Sequence, residues 1–245
     1  MLVPAAPTAS SVNAATLTAQ DNPLCIAIQP FYWEIGNQDT ALVSASEGVD
    51  SNNQQVISTT NFSIASASKW VYGTYVVQLR GSAAGLTSND IPFLNFTSGY
   101  TNMGSDDRSS QCPSTNSPDT VNVCLAETNS NDGLPYSHQF SGTTGHFDYD
   151  SGHLENHASI YGGLGDVRDV NLGTTVAGEL GSSITLQYTE PLMAGGIYTD
   201  ASNYASILRG ILSGTLHMRD ALGTNAVCTH PSSSCNAVYS PIPEA

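Results

Sequence analysis

The segment from residue 66 to residue 80, SASKWVYGTYVVQLR, carries the strongest helical pattern in the chain. Val71, Tyr75 and Leu79 recur at positions i, i+4 and i+8, and a glycine directly follows the segment. This spacing predicts a helix that Ser66 opens and that buries an apolar stripe.

Lys69 is the only lysine among the 245 residues, and it follows Ser66 by three positions. Residues i and i+3 share a helical face, so the serine hydroxyl and the lysine amine are expected to meet. Ser-x-x-Lys is a known nucleophile-and-base arrangement, in which a neutral amine takes the serine proton. Burial and the positive end of a helix both lower the pKa of a lysine and favour that neutral form. The alternative is an ordinary surface lysine near a helix start.

Weaker patterns organise the rest of the chain. Residues 1–20 are small and polar and are predicted to be disordered, and residues 21–245 are predicted to form a single domain. Strand-like or extended segments are 24–35, 41–50, 54–62 and 184–190. Helical segments are 151–164, 174–181 and 204–216, and the stretch 100–146 is rich in loops. The mixture predicts an α+β fold.

The charge balance argues against several classes of partner. The net charge is −15 although only 11% of residues are charged, so the surface must be mostly uncharged polar side chains. Five arginines and one lysine do not make a phosphate-binding surface, so no nucleic acid is expected as a partner. No apolar run reaches transmembrane length, so no membrane insertion is expected. The first 20 residues lack the basic and apolar regions of an intact signal peptide.

Four of the five cysteines form two closely spaced pairs. Cys112 and Cys124 bracket eleven residues rich in Pro, Ser, Asn and Asp, and Cys228 and Cys235 bracket THPSSS. Both pairs are predicted to be local disulfides, which favours an oxidising compartment and a secreted or periplasmic location. Cys25 is left over, either as a buried free thiol or as a cysteine whose partner lies outside this chain.

Three histidines, His146, His153 and His157, raise the question of a metal site. His153 and His157 are four residues apart and share a helical face, but the stretch HLENH lacks a glutamate directly after its first histidine. The pattern favours hydrogen-bonded or exposed histidines. No metal site is therefore predicted.

Three further motifs follow in order, at Thr97–Gly99, Tyr149–Ser151 and Gly195–Thr199. Together with Ser66–Lys69, they resemble the serine β-lactamase-like superfamily, in the branch that holds class C β-lactamases, D-alanyl-D-alanine peptidases and related esterases. In that branch a Ser-x-x-Lys opens a buried helix, and a Thr-Ser-Gly loop follows. A Tyr-x-Asn or Tyr-x-Ser then brings a phenol to the nucleophile, and a Gly-Gly turn precedes a late helix. The order and rough spacing agree over about residues 25–220.

The resemblance implies a role for each matching residue. Ser66 would be the acylated nucleophile, and Lys69 would accept its proton or hold the proton network. Tyr149 would act as a general acid and base, because a phenol with an ordinary pKa near 10 is a base at neutral pH only beside a cation. Ser151 would bridge the phenol and the substrate by hydrogen bonds. The alternative for Tyr149 is a half-buried aromatic side chain in a polar loop, and its two aspartate neighbours argue mildly against its role as a base.

The resemblance therefore implies a serine hydrolase of the β-lactamase/transpeptidase-like fold, with a partial antiparallel sheet packed on helices and a helical, loop-rich region around Tyr149. It would hydrolyse an ester, amide or peptide bond of a small molecule or peptide through an acyl-enzyme on Ser66, without a cofactor. The first alternative is a non-catalytic binding or surface protein that retains the fold. The second is a disulfide-looped extracellular adhesin of unrelated fold.

One element of the superfamily has no match. The third motif is a Lys-Thr-Gly or His-x-Gly on a core strand, but the sequence has no second lysine, and none of its six histidines is followed by x-Gly. A backbone N–H of that strand normally completes the oxyanion hole, and losing such a donor typically costs about 10²–10³ in rate. Three expectations stay open: a C-terminally truncated domain, a second chain that completes the sheet, or a family that has lost the element.

Overall fold

The computed structural model describes residues 8–103, 120–181, 183–230 and 235–241. In chain order its helices are α1 (Ala9–Asp21), α2 (Pro23–Ala27), α3 (Ser68–Leu79), α4 (Ile91–Leu94), α5 (Val121–Ala126), α6 (Gly152–Ile160), α7 (Asp169–Leu180), α8 (Ala201–Ser213) and α9 (Met218–Ala221). Its strands are β1 (Phe31–Gly36), β2 (Ala41–Glu47), β3 (Phe62–Ser63), β4 (Gln187–Tyr188) and β5 (Ile197–Thr199). Helices and small sheets occur together, which confirms the predicted α+β class. Within the described ranges, every helix is too short or too polar to cross a lipid bilayer.

The strands form two small sheets. β1 and β2 pair antiparallel, from Phe31 opposite Glu47 to Gly36 opposite Ala41. The other sheet has the strand order β3–β5–β4, and β4 pairs antiparallel with β5. Both sheets are too narrow to bury a helix by themselves, so most of the core comes from packing between helices.

The contacts divide the chain into two compact units. The first comprises the described residues of Met1–Phe62 together with Thr199–Leu216, and it holds α1, α2, β1, β2 and α8. The second comprises Ser63–Tyr198 and the described residues of His217–Ala245. All four predicted site residues belong to the second unit. The single domain expected over residues 21–245 stays a prediction.

The N-terminal segment expected to be disordered, residues 1–20, contains α1. Thr8 caps this helix, because its side-chain oxygen accepts a hydrogen bond from the N–H of Ser11 at 3.2 Å. The alanine-rich sequence that follows also favours a helix. The expectation of disorder is therefore corrected for residues 9–20, and residues 1–7 lie outside the described part of the chain.

The strand expected over residues 24–35 begins only at Phe31, because α2 precedes it. Asn22 caps that helix, since its side-chain oxygen accepts a hydrogen bond from the N–H of Leu24 at 2.9 Å. Pro23 occupies the first helical position, where its fixed φ angle favours a helix and its missing N–H costs nothing. The capping signal thus overrides the apolar, strand-like composition.

The strand expected over residues 54–62 is reduced to β3 at its end. Residues 54–57 have no regular secondary structure, and a turn follows in which the Thr60 N–H donates to the carbonyl oxygen of Ile57 at 2.9 Å and the Ile57 N–H donates to Thr60 Oγ1 at 3.0 Å. Such local bonds satisfy backbone donors that a sheet would otherwise need to pair. The other segments are confirmed with changed lengths: 41–50 as β2, 151–164 as α6, 174–181 as α7, 184–190 as β4 and 204–216 as α8.

The second unit is built around α3, which packs on α7 and α9. Residues 71–77 are all buried, so this stretch of α3 has no polar face. Val71 and Tyr75 lie in the core as predicted, but Leu79 is 37% exposed and Trp70 is 42% exposed. The predicted single stripe is therefore wrong: α3 is buried on all sides in its middle and is exposed near its ends.

Asp90 joins the C-terminal end of α3 to α6. Its buried carboxylate accepts hydrogen bonds from the Arg80 guanidinium at 2.7 Å, the Thr87 N–H at 2.7 Å and His157 Nε2 at 2.9 Å. Burial raises the pKa of Asp90, but these donors together hold it well below its usual value. Burial lowers the pKa of His157, and the neutral ring accepts a hydrogen bond at Nδ1 from the Tyr72 hydroxyl at 2.7 Å. This network fixes α6, and with it the residues that precede α6.

Candidate active site

Ser66 lies in the short 3-10 turn Ala65–Ala67 that leads into α3. The α-helix itself begins at Ser68, so Ser66 precedes it rather than opening it. Ala65 has a φ angle of +44°, in the left-handed region that is uncommon for residues other than glycine. The Ser66 side chain is exposed, whereas that of Ser68 is buried. The turn therefore presents the predicted nucleophile to solvent.

Lys69 contacts the predicted nucleophile directly. Its Nζ donates a hydrogen bond to Ser66 Oγ at 2.9 Å and a second one to the carbonyl oxygen of Ala194 at 3.0 Å. The structure thus brings the Ser-x-x-Lys pair to hydrogen-bonding distance, and it holds the amine from a second side. The contact with Ser66 can carry a proton in either direction, because an ammonium donates to the hydroxyl oxygen and a neutral amine accepts the hydroxyl proton.

Tyr149 lies next to the same amine. Lys69 Nζ is 4.9 Å from the centroid of the Tyr149 ring, which is within the range of a cation–π contact. Phe96 stacks on this ring, with centroids 5.6 Å apart and planes 9° from parallel. The N–H of Tyr149 also donates to the carbonyl oxygen of Tyr239 at 3.0 Å. The structure brings the ring to Lys69, and an approach of the phenolic oxygen to Lys69 or Ser66 stays a prediction.

Ser151 is the N-cap residue of α6, two positions after Tyr149, and it is 7% exposed. Its hydroxyl makes no capping hydrogen bond, whereas its carbonyl oxygen accepts the N–H of Leu154 at 3.0 Å. Among the hydrogen bonds of the described residues, none joins the Ser151 hydroxyl to Ser66 or Lys69. Its role in substrate binding stays a prediction.

The Gly-Gly turn before β5 is shaped by close backbone contacts. A side chain on Gly196 would place its Cβ 2.4 Å from the carbonyl oxygen of Glu190, so only glycine fits there. The Gly196 N–H donates to the carbonyl oxygen of Leu192 at 2.9 Å. One residue on, the Ile197 N–H donates to the buried Ser68 Oγ at 3.3 Å. The turn is therefore attached directly to the start of α3.

The Thr-Ser-Gly loop is attached to the segment around Tyr149. Gly99 has a φ angle of +80°, and a Cβ there would lie 2.2 Å from Thr144 Oγ1. The hydroxyl of Ser98 is 2.6 Å from His153 Nδ1, and His153 Nε2 donates to the carbonyl oxygen of Asp148 at 2.8 Å. His153 thus connects this loop to the backbone directly before Tyr149.

Glu155 was not predicted from the sequence as part of the site. This buried side chain on α6 accepts two backbone hydrogen bonds, at Oε2 from the Met193 N–H at 2.7 Å and at Oε1 from the Ala194 N–H at 2.8 Å. Burial raises the pKa of its carboxyl to about 7, although the two N–H groups and the charge of Lys69 act against that rise. The signal available in the sequence was the stretch HLENH, in which four of five residues are polar and spread around much of the helix, so that some of them point inward.

The histidine pair on α6 is part of the core. His153 and His157 are both buried, and each bonds protein groups through both ring nitrogens. This confirms the interpretation of these residues as hydrogen-bonded histidines. The described residues contain no group of three or more His, Cys, Asp or Glu side chains arranged to hold a metal ion.

The cysteine predictions are resolved for three residues. Cys228 and Cys235 form a disulfide with their Cα atoms 5.4 Å apart, which confirms that pairing. Cys25 is a half-buried free thiol. Cys112 lies outside the described residues, so its pairing with Cys124 stays a prediction.

Comparison with known proteins adds little to this site. No protein-family model and no curated protein matches the sequence. Among solved structures, the chain is similar to a crystal structure from Bacteroides dorei named as a candidate beta-lactamase, with a TM-score of 0.49 and 16% sequence identity. The similarity covers 86% of this chain and 65% of that one, so the chain spans less than two thirds of that protein's length.

Proposed function

We propose that the chain is a serine hydrolase that forms a covalent acyl-enzyme on Ser66 and hydrolyses an ester, amide or peptide bond. The observation that carries this proposal is the 2.9 Å hydrogen bond between Lys69 Nζ and Ser66 Oγ. The chain contains no other lysine, and this one contacts an exposed serine hydroxyl. A serine hydroxyl is a weak nucleophile until a neighbouring base removes its proton, and Lys69 is placed to do so.

In the acylation step, Ser66 Oγ attacks the carbonyl carbon of the substrate while its proton passes to Lys69 Nζ, which accepts it in the neutral amine form. The bond between the carbonyl carbon and the leaving oxygen or nitrogen then breaks, and the leaving group takes up a proton from the same network. Tyr149 is the second member of that network, because its ring adjoins Lys69. Water then attacks the Ser66 ester, which releases the acid and restores the hydroxyl.

The N–H of Ser66 supplies a donor for the oxyanion. Ser66 is the second residue of its 3-10 turn, where backbone N–H groups have no partner within the helix. An unpaired N–H at this position would stabilise the charge that develops on the carbonyl oxygen during attack. A second donor would come from a strand that carries the superfamily's third motif or from another element that reaches the site.

The substrate class follows from the chemistry of the pair, which acts on an acyl carbonyl and requires no cofactor. The fold itself does not decide among esters, amides and peptides. The disulfide between Cys228 and Cys235 supports a secreted or periplasmic location.

A fluorophosphonate probe tests the proposal, because an activated serine displaces its fluoride and becomes covalently labelled. The parent chain should label with 1:1 stoichiometry, and peptide mapping should place the label on Ser66. Ser66→Ala should not label at all. Ser63→Ala is the matched control, since this serine is also exposed and also lies close to the turn, but does not stand three residues before the lysine.

Two results would overturn the assignment. Labelling of Ser66→Ala at the parent's rate would show that another residue is the nucleophile. A folded parent chain that never labels would instead favour the non-catalytic binding protein, which keeps the same pair without its reactivity.

A further inference from the structure

Glu155 and Lys69 are joined through the backbone of a single residue, Ala194. The Ala194 N–H donates to Glu155 Oε1 at 2.8 Å, and the Ala194 carbonyl oxygen accepts from Lys69 Nζ at 3.0 Å. Lys69 in turn donates to Ser66 Oγ at 2.9 Å. Hydrogen bonds on both sides of the Ala194 backbone therefore connect a carboxylate buried in α6 to the Lys69–Ser66 pair.

We propose that Glu155 is a positioning residue for the candidate site: it holds the 193–194 loop so that the Ala194 carbonyl oxygen fixes Lys69 against Ser66. This inference rests on the proposed function only in calling the site catalytic, because the hydrogen bonds that connect Glu155, Ala194 and Lys69 do not depend on catalysis. Glu155 touches neither Ser66 nor a substrate position. It acts through the loop.

The two hydrogen bonds to the carboxylate explain why a glutamate is needed. An ionised carboxylate accepts at both oxygens, so it can take the N–H groups of Met193 and Ala194 at the same time. A protonated carboxyl has a hydroxyl on one side, which points a hydrogen at one of these donors. A glutamine places its NH₂ group there and has the same conflict. Either change leaves one buried backbone N–H without a good acceptor, which shifts the loop.

Burying this carboxylate costs free energy, so its position in the core also indicates a role other than stabilising the fold. Burial raises the pKa of Glu155 to about 7 despite two N–H donors and the nearby ammonium of Lys69. Charge repulsion from Asp150 contributes to this rise. Tyr72 from α3 and Tyr188 from β4 also face Glu155, and burial keeps the pKa of each phenol well above its ordinary value. Both phenols therefore stay neutral while Glu155 titrates.

Nuclear magnetic resonance can report this coupling without any substrate. Lys69 is the only lysine, so protein labelled with ¹³Cε-lysine gives a single side-chain resonance. As the pH is raised from about 5 to about 9, the ionisation of Glu155 should move this resonance with an inflection near pH 7. Glu155→Gln should lose that inflection. Glu179→Gln, the same change at an exposed glutamate of α7, should keep it.

The rate of fluorophosphonate labelling gives the second readout. Glu155→Gln should label at Ser66 about 10- to 100-fold more slowly than the parent, because the base is no longer held in position. The labelling rate of the parent should decrease as the pH is lowered through about 7, and Glu155→Gln should not show this decrease. Glu179→Gln should label like the parent. A purely structural role would lower the amount of folded protein without removing a titration step.

The outcomes separate this inference from the proposed function. A parent resonance without an inflection near pH 7, or an inflection that persists in Glu155→Gln and so belongs to a histidine, overturns the positioning role. An inflection that depends on Glu155 in a protein that never labels supports the coupling and refutes the hydrolase. If Glu155→Gln does not fold, Glu155→Asp decides: an inflection moved from the parent's pH supports the role, and an unmoved one overturns it.

Discussion

The carbonyl oxygen of Ala194 lies 3.0 Å from Lys69 Nζ, although 125 positions separate the two residues. A lysine side chain normally retains much rotamer freedom at a protein surface, and fixing it costs conformational entropy. Here the amine is held between Ala194 and Ser66, so that cost is met during folding and not during the reaction. An amine fixed in this way remains in place for every substrate molecule.

Replacing Lys69 should separate its charge from its ability to carry a proton. We expect Lys69→Ala and Lys69→Arg each to reduce ester turnover by at least about 10², because a guanidinium keeps the charge but does not deprotonate in proteins. Initial rates of p-nitrophenyl acetate hydrolysis measure this. An arginine variant with parental activity would mean that the charge alone is sufficient.

Tyr149→Phe removes only the phenolic oxygen and keeps the ring that stacks on Phe96 and adjoins Lys69. Turnover should fall by at least about 10², the lower range for the loss of a general acid or base. The thermal transition should hardly change, because the aromatic packing is retained. Unchanged turnover would show that Tyr149 contributes only its aromatic contacts and is not a general acid or base.

Ser66 and Ser68 should respond to alanine in opposite ways. Ser66→Ala should keep the parental free energy of unfolding and lose labelling, because its side chain is exposed. Ser68→Ala should label normally but lose about 1 kcal/mol of stability, because its buried hydroxyl accepts the Ile197 N–H. Urea denaturation measures the stability of both variants, and fluorophosphonate labelling measures their reactivity. Loss of labelling in a folded Ser68→Ala would contradict the assignment.

Asp90 should govern part of the acid stability. The pKa of Asp90 in the folded protein lies below its ordinary value of 3.8. Its contribution to the free energy of unfolding is therefore fully present above pH 3.8 and is lost as the pH falls towards the pKa of the folded protein. Asp90→Asn should cost about 3–5 kcal/mol at neutral pH, because it leaves the Arg80 guanidinium without its charged partner, and it should flatten the decline in stability below about pH 4. Urea denaturation at several pH values measures this, with the exposed Asp39→Asn as control. An equal loss of stability with falling pH in the parent and in Asp90→Asn would refute this prediction.

Two glycines of α7 offer a matched test of packing. A Cβ on Gly173 would lie 2.0 Å from the carbonyl oxygen of Leu186, whereas one on Gly178 would meet no atom within 4 Å. Gly173→Ala should therefore destabilise the protein by about 3 kcal/mol or more. Gly178→Ala should stabilise it by about 0.5–1 kcal/mol, because alanine loses less backbone entropy in a helix. Thermal denaturation of both variants checks the contrast, and a tolerated alanine at Gly173 would contradict the close contact of α7 with β4.

Local patterns in the sequence predicted the local parts of the structure. The contact between Ser66 and Lys69 follows from a spacing of three residues, and α6 and α8 follow from helical periodicity. The strands were harder to predict, because a side-chain cap at Asn22 and a turn at Thr60 decide where the backbone hydrogen bonds go. Such bonds depend on one or two side chains and leave the apolar pattern unchanged.

The long-range parts of the candidate site could not be predicted in the same way. Nothing in the sequence near Lys69 indicates that its second partner is the backbone of Ala194, since a carbonyl oxygen is present at every residue. Glu155 was missed for a related reason, because its partners are backbone N–H groups and no side-chain motif marks them. The order of the motifs indicated which segments lie close together, but it did not indicate which atoms form the contacts.

The left-handed backbone at Ala65 restricts which residues can precede the serine in any variant of this protein. A β-branched side chain is strongly disfavoured at a φ of +44°, whereas glycine, asparagine and aspartate adopt such angles more readily. Glycine at position 65 would relax the backbone and also let the turn sample other conformations, so the direction of the Ser66 hydroxyl would become less well defined. The shape of the turn therefore limits the range of residues that can precede the serine.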